Sequence, residues 1–407
     1  MYKKAEDVYI CDGIRTAIGK YAGALSSVRP DDLAAIVIKN IVERNPGLDQ
    51  NSINDVIFGC ANQAGEDNRD VARMALLLAG LPFNIPGETV NRLCASGMSA
   101  VINATRAVIS GDGDLFIAGG VESMSRAPFV MGKSETAFGR VPEMFDTTIG
   151  WRFINPKLKA IYGSDSMGET AENVAEKYNI SRESQDEFAL NSQKKAAESQ
   201  NNGRFDIEIV PCEIPQKKVG KIIVNKDEFL RPDTTIESLQ KLNPAFKKGG
   251  SVTAGNSSGI NDGAAALLIS NNSGVKRNNL NPIARIVSSG VVGVEPRFMG
   301  IGPVEASNLA LKKAGLTFAD IDVIELNEAF AAQGLACIRE WGLDDNDPRL
   351  NPNGGAIALG HPLGMSGARL ILSAAYQLKI EKKKYALCTM CIGVGQGYAV
   401  IIENVSE

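Results

Sequence analysis

The sequence predicts an α/β fold built from two similar halves, with a loop domain inserted in the first. Short β-branched runs alternate with helical patterns from the start of the chain, as strands joined by crossover helices do. Two distant regions repeat one another: Cys94 is followed by Gly97-Met98-Ser99 and His361, at the same offset, by Gly364-Met365-Ser366. Between the halves, from 122 to about 250, Met, Pro, Lys and Asn become denser, which marks the insertion.

Taken in order, 8–11 reads as a strand, 31–43 as a helix, 55–59 as a strand and 69–79 as a helix. Thr89-Val90 is a short strand running into small residues and a helix over 98–109, and Ile117-Ala118-Gly119-Gly120 is the strand that follows. Within the insertion, 169–178 and 181–199 are amphipathic helices. The second opens on Ser181-Arg182-Glu183-Ser184-Gln185, an N-cap serine with acid and glutamine in the first turn. In the second half Asp322-Val323-Ile324 repeats Asp55-Val56-Ile57, and a strand over 386–390 leads to Gly393 and Gly395. The boundaries that result are 1–121 with 251–275 for the first half, 122–250 for the insertion and 276–407 for the second half.

Composition narrows the function. At 407 residues, with 44% apolar and 22% charged residues, the chain is globular and too long for a small binding module. The balance of 43 Lys+Arg against 47 Asp+Glu gives no positive field for nucleic acid. No apolar run approaches the roughly 18 residues of a membrane helix, and the start, Met1-Tyr2-Lys3-Lys4-Ala5, lacks a signal-peptide core. Seven sparse cysteines suggest reduced thiols and a cytoplasmic address. Over 211–250, Lys217, Lys218, Lys221, Lys226, Arg231, Lys241, Lys247 and Lys248 form either a solvated surface or a positive edge for a polyanionic cofactor.

The chemistry centres on few residues. Cys94, before a helix, is expected to have its thiol pKa lowered by the helix dipole, as a nucleophile requires. A free cysteine is more often a small buried hydrophobe. His361 is the one histidine, so a multi-histidine zinc cage is excluded. It sits among five glycines within the fourteen residues from Gly354 to Gly367, a density that suits close backbone approach to a ligand. If the repeat is structural, Cys94 and His361 occupy equivalent places. Cys388-Thr389-Met390-Cys391 is a CxxC with no second ligand pair for a metal. It is either a redox pair or, as the better reading, one working thiol, Cys391, beside glycines whose N–H groups can hold an oxyanion.

Asn91-Arg92-Leu93-Cys94-Ala95-Ser96-Gly97, Asn327-Glu328-Ala329-Phe330-Ala331, the loop around His361 and Cys391-Ile392-Gly393 together resemble the thiolase family over essentially the full chain. The resemblance implies a five-layered αβαβα core of two duplicated halves, an inserted loop domain, and a homo-oligomer, dimer or tetramer. It implies Cys94 as the acylated nucleophile, His361 as its activator, Cys391 as acid/base, Asn327 as the holder of an oxyanion-hole water, and Gly393 N–H as an oxyanion donor. Coenzyme A and 3-oxoacyl-CoA are then substrates, with no tightly bound cofactor and no metal. Arg231 would lie near the adenine, Ser258 near the pantetheine, and Met167, Met299 and Phe330 along the acyl end. The stretches 59–69 and 146–153 are similar to the branch that cleaves 3-oxoadipyl-CoA in aromatic catabolism, with Arg152, Arg140 or Lys133 as candidates for the distal carboxylate. Ser166, where short-chain members often carry histidine before Met-Gly, counts against an acetoacetyl-CoA role. Acetoacetyl-CoA or general 3-ketoacyl-CoA thiolysis is the alternative within the family, and a non-catalytic acyl-CoA binder the alternative outside it.

Overall fold

The computed structural model describes residues 6–216 and 220–406. The expectations placed on Met1 to Ala5, Lys217 and Lys218 lie outside the described residues.

The first half runs β1 (Tyr9–Thr16), α1 (Pro30–Glu43), β2 (Asp55–Gly59), α2 (Val71–Leu78), β3 (Gly87–Val90), α3 (Ser96–Ser110) and β4 (Leu115–Ser123). The inserted segment carries α4 (Met167–Lys177) and α5 (Arg182–Asn201), and β5 (Asn261–Ser270) returns to the sheet. The second half runs β6 (Ala284–Gly293), α6 (Gly302–Ala314), β7 (Val323–Leu326), α7 (Ala331–Glu340), α8 (Leu363–Glu381), β8 (Tyr385–Ile392) and β9 (Gln396–Asn404). Helix α2 begins later than its sequence pattern suggests. Arg69 and Asp70 both take positive φ, and the Asp70 side chain caps the helix by accepting from Arg73 N. Helix α5 opens as expected, Ser181 Oγ accepting from Ser184 N at 3.1 Å. Strand β4 continues through Glu122 and Ser123, so Glu122 is laid down in the sheet.

The repeat seen in sequence is a repeat of topology. In the first half β2 is parallel to β3 and β4, β4 antiparallel to β5, and β5 antiparallel to β1. In the second, β7 is parallel to a bridge at Leu350 and to β8, β8 antiparallel to β9, and β9 antiparallel to β6. The halves join where β1 meets β6, at Tyr9 with Arg285 and Ile10 with Ala284.

Strand alternation distributes side chains to three apolar layers. Ala265, Leu267 and Ile269 of β5 and Tyr398, Val400 and Ile402 of β9 face a central layer containing α3 and α8. The intervening Ala264, Ala266 and Leu268 face α1 and α2, and Ala399 and Ile401 face α6 and α7. Helix, sheet, paired helices, sheet, helix is the five-layered order. Strands covered on both faces need near-continuous apolar sequence, and α8, between two sheets, is buried without a break from Gly364 to Leu378.

The central helices meet at their N-terminal turns. A Cβ on Gly367 would lie 2.5 Å from Met98 N, and one on Gly97 2.5 Å from Gly364 O. Gly367→Ala should therefore cost about 1–3 kcal/mol by overpacking, read as a lower urea midpoint. Gly293→Ala, with its nearest neighbour 4.0 Å away, should leave the midpoint unchanged.

Candidate active site

The two halves deliver equivalent loops to one place. After β3 the chain makes a single 3-10 turn, Leu93–Ala95, before α3. Leu93 takes φ +47°, and Ser96 Oγ locks the turn by accepting from Arg92 N at 2.9 Å and donating to Leu93 O at 2.7 Å. Cys94 is thereby held at the head of α3, half-buried, and is the one cysteine of the seven that is not buried. Its Sγ accepts from the backbone N–H of Gly393, in the turn after β8 where Val394 and Gly395 both take positive φ. Cys391 lies close enough that the charge of Cys94 affects it.

In the second half, Gly360 at φ +107° turns the chain so that His361 N donates to Asn261 Oδ1 at 2.9 Å. The ring is 5% exposed. His361 Nδ1 lies 2.6 Å from Ser366 Oγ, whose own hydrogen goes to Pro362 O at 2.8 Å. Ser366 must therefore accept from Nδ1–H, which fixes the tautomer and leaves Nε2 as a bare acceptor. Asn327 Nδ2 stands 3.4 Å from that Nε2, and Asn327 Oδ1 is buried with no hydrogen-bond partner among the described residues. An orphaned buried oxygen at such a place is suited to a substrate or water donor.

The electrostatics correct one expectation. Burial pushes the Cys94 thiol up to about 11, against the two backbone N–H donors that would lower it. The helix dipole is outweighed because the protein around Cys94 desolvates a thiolate more than one helix end stabilises it. Burial and then the positive charge of Arg369 hold His361 down to about 3. Cys391 is raised well above the ordinary thiol range, chiefly by burial. The resting site thus holds a neutral thiol, a neutral imidazole and a second neutral thiol.

The structure pairs Gly393 with Cys94, puts Cys391 within reach of the charge of Cys94 and sets Asn327 beside His361, and the close approach of Gly97 to Gly364 O carries the two groups to one seam. Met167 Sδ is 3.7 Å from the point where a Gly393 Cβ would lie, and Met299 and Phe330 belong to the apolar cluster that contains Cys391. Phe246 stands edge-on to Phe330 at 6.1 Å. Ser258 N donates to Ala329 O at 2.9 Å, placing it beside Phe330. Arg231 is exposed, with its guanidinium 5.3 Å over the Phe229 ring, and no hydrogen bond ties it to the cysteines among the described residues. Of the basic stretch, Lys221 pairs with Glu213 at 2.6 Å and Lys247 with Glu176 at 3.0 Å, as a solvated surface would. Arg152 is half-buried while Arg140 and Lys133 are exposed, and none is ion-paired among the described residues. Ser166 caps α4 in a box with Glu169. Cys388 and Cys391, three apart on one strand, face opposite layers, so the CxxC cannot act as a dithiol. Sequence reasoning does not single out Ser366, Arg369 or Glu122. The repeat containing Ser366 is the available signal for the first, and strand register for the last.

A thiol pushed up to about 11 makes a prediction. In the substrate-free protein, alkylation of Cys94 by iodoacetamide should rise about tenfold per pH unit from pH 7 to 9 without a plateau. A plateau near pH 7 would mean a standing thiolate.

Family models match almost the whole chain: "Thiolase, N-terminal domain" over residues 8–273 and "Thiolase, C-terminal domain" over 280–404. A 3-oxoadipyl-CoA/3-oxo-5,6-dehydrosuberyl-CoA thiolase of Escherichia coli K12 is 61% identical over 399 residues, covering 98% of this chain and 100% of that one. A beta-ketoadipyl-CoA thiolase of Acinetobacter baylyi is 59% identical over 397 residues, covering 98% and 99%. Among solved structures, human mitochondrial 3-ketoacyl-CoA thiolase in complex with CoA superposes with a TM-score of 0.91 at 40% identity, covering 98% of each chain. The Bacillus anthracis acetyl-CoA acetyltransferase does so at 0.92 and 39%, covering 98% and 99%.

Proposed function

The chain belongs to the thiolase family and is an acyltransferase, and from that premise we propose that it cleaves 3-oxoadipyl-CoA with coenzyme A to succinyl-CoA and acetyl-CoA, through an acyl-enzyme on Cys94. The observation that carries the substrate is the near-complete match, at about 60% identity, to relatives named for 3-oxoadipyl-CoA or beta-ketoadipyl-CoA.

The geometry supports each step. Neither a lone thiolate nor a lone imidazolium is stable in this site, so the Cys94 proton moves to His361 Nε2 as Sγ bonds to the 3-oxo carbon and the charge passes to the substrate oxygen. Backbone N–H groups of Cys94 and Gly393 meet that oxygen. The bond between C2 and C3 then breaks, and its electrons form the enolate of acetyl-CoA. His361 Nε2–H, now a donor, and a water on Asn327 face the enolate oxygen, while the Cys391 thiol gives its proton to C2. Acetyl-CoA leaves. Cys391 takes the proton of the incoming CoA thiol, whose sulfur attacks the thioester, and Cys94 leaves with the proton held on His361. Coenzyme A is a substrate throughout. The same proposal places Arg231 and Ser258 along it and Met167, Met299 and Phe330 at the acyl end.

A cytoplasmic location and a homo-oligomeric state belong to the same reading. All seven cysteines are unpaired, which fits a reducing compartment. No helix among the described residues is long and apolar enough to cross a membrane. Phe129, Met131 and Met144, each more than half exposed, form an apolar face on the inserted segment, and β3 is an open sheet edge. The first half with its insertion over 122–250 supplies the nucleophile, and the second half from 276 the acid/base pair.

The distal carboxylate of the acyl chain is assigned to Arg152. Its neighbour Trp151 donates from Nε1 to Asp165 O at 3.1 Å, two residues before Met167, which stands over Gly393. Cleavage of 3-oxoadipyl-CoA should exceed that of acetoacetyl-CoA by about 100-fold in kcat/KM, or roughly 2.7 kcal/mol. A ratio near one would leave the thiolase and remove the substrate. Arg152→Ala should lower the first rate at least about 10-fold, the worth of one charged hydrogen bond, and leave the second within twofold. Intact-mass analysis should show an acyl adduct on the wild-type chain that Cys94→Ala lacks; an adduct on neither would favour a binding protein.

A further inference from the structure

The two halves can be aligned residue by residue from strand register. Val56 faces Ile117 across β2 and β4, and Val323 faces Ala386 across β7 and β8, within the repeated Asp-Val-Ile triplets. Counting forward along each strand, Cys60 corresponds to Asn327 and Glu122 to Cys391. The partner strands agree: Glu122 lies opposite Gly263 and Cys391 opposite Gly397. With Cys94 equivalent to His361, the trio Asn327, His361 and Cys391 has a counterpart in Cys60, Cys94 and Glu122.

Glu122 does something there that Cys391 does not. It is 1% exposed, and its carboxylate accepts from Ala61 N at 2.9 Å, Asn62 N at 3.1 Å and Gly364 N at 2.8 Å. The first two donors lie in the loop after β2, in the first half. The third lies in the first turn of α8, three residues after His361 and two before Ser366, which holds His361 Nδ1. Cys60, Asp67 and Glu122 bring ligand atoms within 4.8 Å of one another, but both Glu122 oxygens face N–H donors. That is an anion site filled by the protein's own carboxyl group, at the positive end of α8; burial pushes that carboxyl up to about 7 against the three N–H donors that lower it, so the clamp is charged above neutral pH.

We propose that Glu122 is a positioning residue: its carboxylate clamps the His361-bearing turn of α8 to the first half, setting His361 relative to Cys94. The clamp rests on the acyl-enzyme reading. No side chain at Gly364, Gly59 or Gly120 could replace it, because a Cβ at Gly120 would overlap Gly364 O and one at Gly364 would overlap Val121 O. With the carboxylate gone, the seam keeps its close packing but loses the one charged link to the turn found among the described residues.

Glu122→Gln keeps the size and loses the charge. Glu122→Asp keeps the charge and is one methylene too short to reach both loops. Each should lower kcat at least about 10-fold, as a displaced catalytic group does, with KM for CoA and for 3-oxoadipyl-CoA within twofold. Single-turnover acylation of Cys94 should slow by the same factor, while the thermal midpoint falls by a few degrees because buried N–H donors lose their acceptor. Full activity in the aspartate variant, or a loss of substrate affinity in parallel with kcat, would overturn the clamp, and the aspartate variant carries the test if the glutamine variant does not fold. An inactive Cys94→Ala beside a fully active Glu122→Asp would sink the clamp alone. An active Cys94→Ala would sink the acyl-enzyme reading beneath it.

Discussion

The N-terminal turns of α3 and α8 cross so closely that backbone touches backbone, and the position of every reacting group follows from that contact. Gly97 faces Gly364 O and Ala368 N, Gly367 faces Met98 N, and Gly59 lies against Ser96 and Gly97. Helices packed through ordinary side chains stand about 8–10 Å apart, too far for groups at their heads to share one substrate carbon. Glycine at the crossing removes that spacing. Cys94 heads one helix and His361 the other, and the turn carrying Gly393 donates to Cys94. The rest of the fold supplies the pressure: sheets on either side leave α8 nowhere to relax, and the apolar layers beyond them hold the sheets.

Close packing also sets the chemistry. Burial disfavours a lone thiolate or a lone imidazolium, which is why Cys94 is pushed up and His361 held down, whereas the buried Glu122 carboxylate has three backbone N–H donors to hold it. In the reaction proposed above, the charge that such a pair generates passes to the substrate carbonyl. The preorganised donors, Gly393 N–H and the Asn327 side chain, are oriented before substrate arrives and need no reorganisation.

Much of this was legible in the sequence, for identifiable reasons. Strands buried on both faces announce themselves as apolar runs, and the repeat around Gly97-Met98-Ser99 and Gly364-Met365-Ser366 marks the crossing directly, because only glycine fits there. His361 and Cys391 stand in glycine-rich surroundings that a plain core would not need, and Cys94 runs into small residues at a helix start. The protonation state of Cys94 was not legible: a helix terminus is visible in a sequence, whereas the burial that opposes it exists only in the folded chain, and the Gly393 N–H that partly offsets it comes from some 300 positions away. Nor was the start of α2, where Arg69 and Asp70 take left-handed conformations that their residue types do not advertise. Arg369, Ser366 and Glu122 meet the site through His361 and its turn, a relation that only the folded chain reveals.

Duplication explains why one site needs both halves and why they differ. Two copies of one βα unit, related by an approximate twofold, present the same positions twice at the seam. One copy places a thiol, Cys94, at the helix head and the other an imidazole, His361; one places a carboxylate, Glu122, at the end of the central strand and the other a thiol, Cys391. A symmetric pair of thiols would have a nucleophile without a base, and a symmetric pair of imidazoles a base without a nucleophile. At the strand ends, two carboxylates would leave no acid with a proton bound tightly enough to deliver to carbon, and two thiols would leave the N–H groups of Ala61, Asn62 and Gly364 without an anion. Each position is therefore divided into one reacting member and one complementary member, and the symmetry of the backbone brings the complements to the same point.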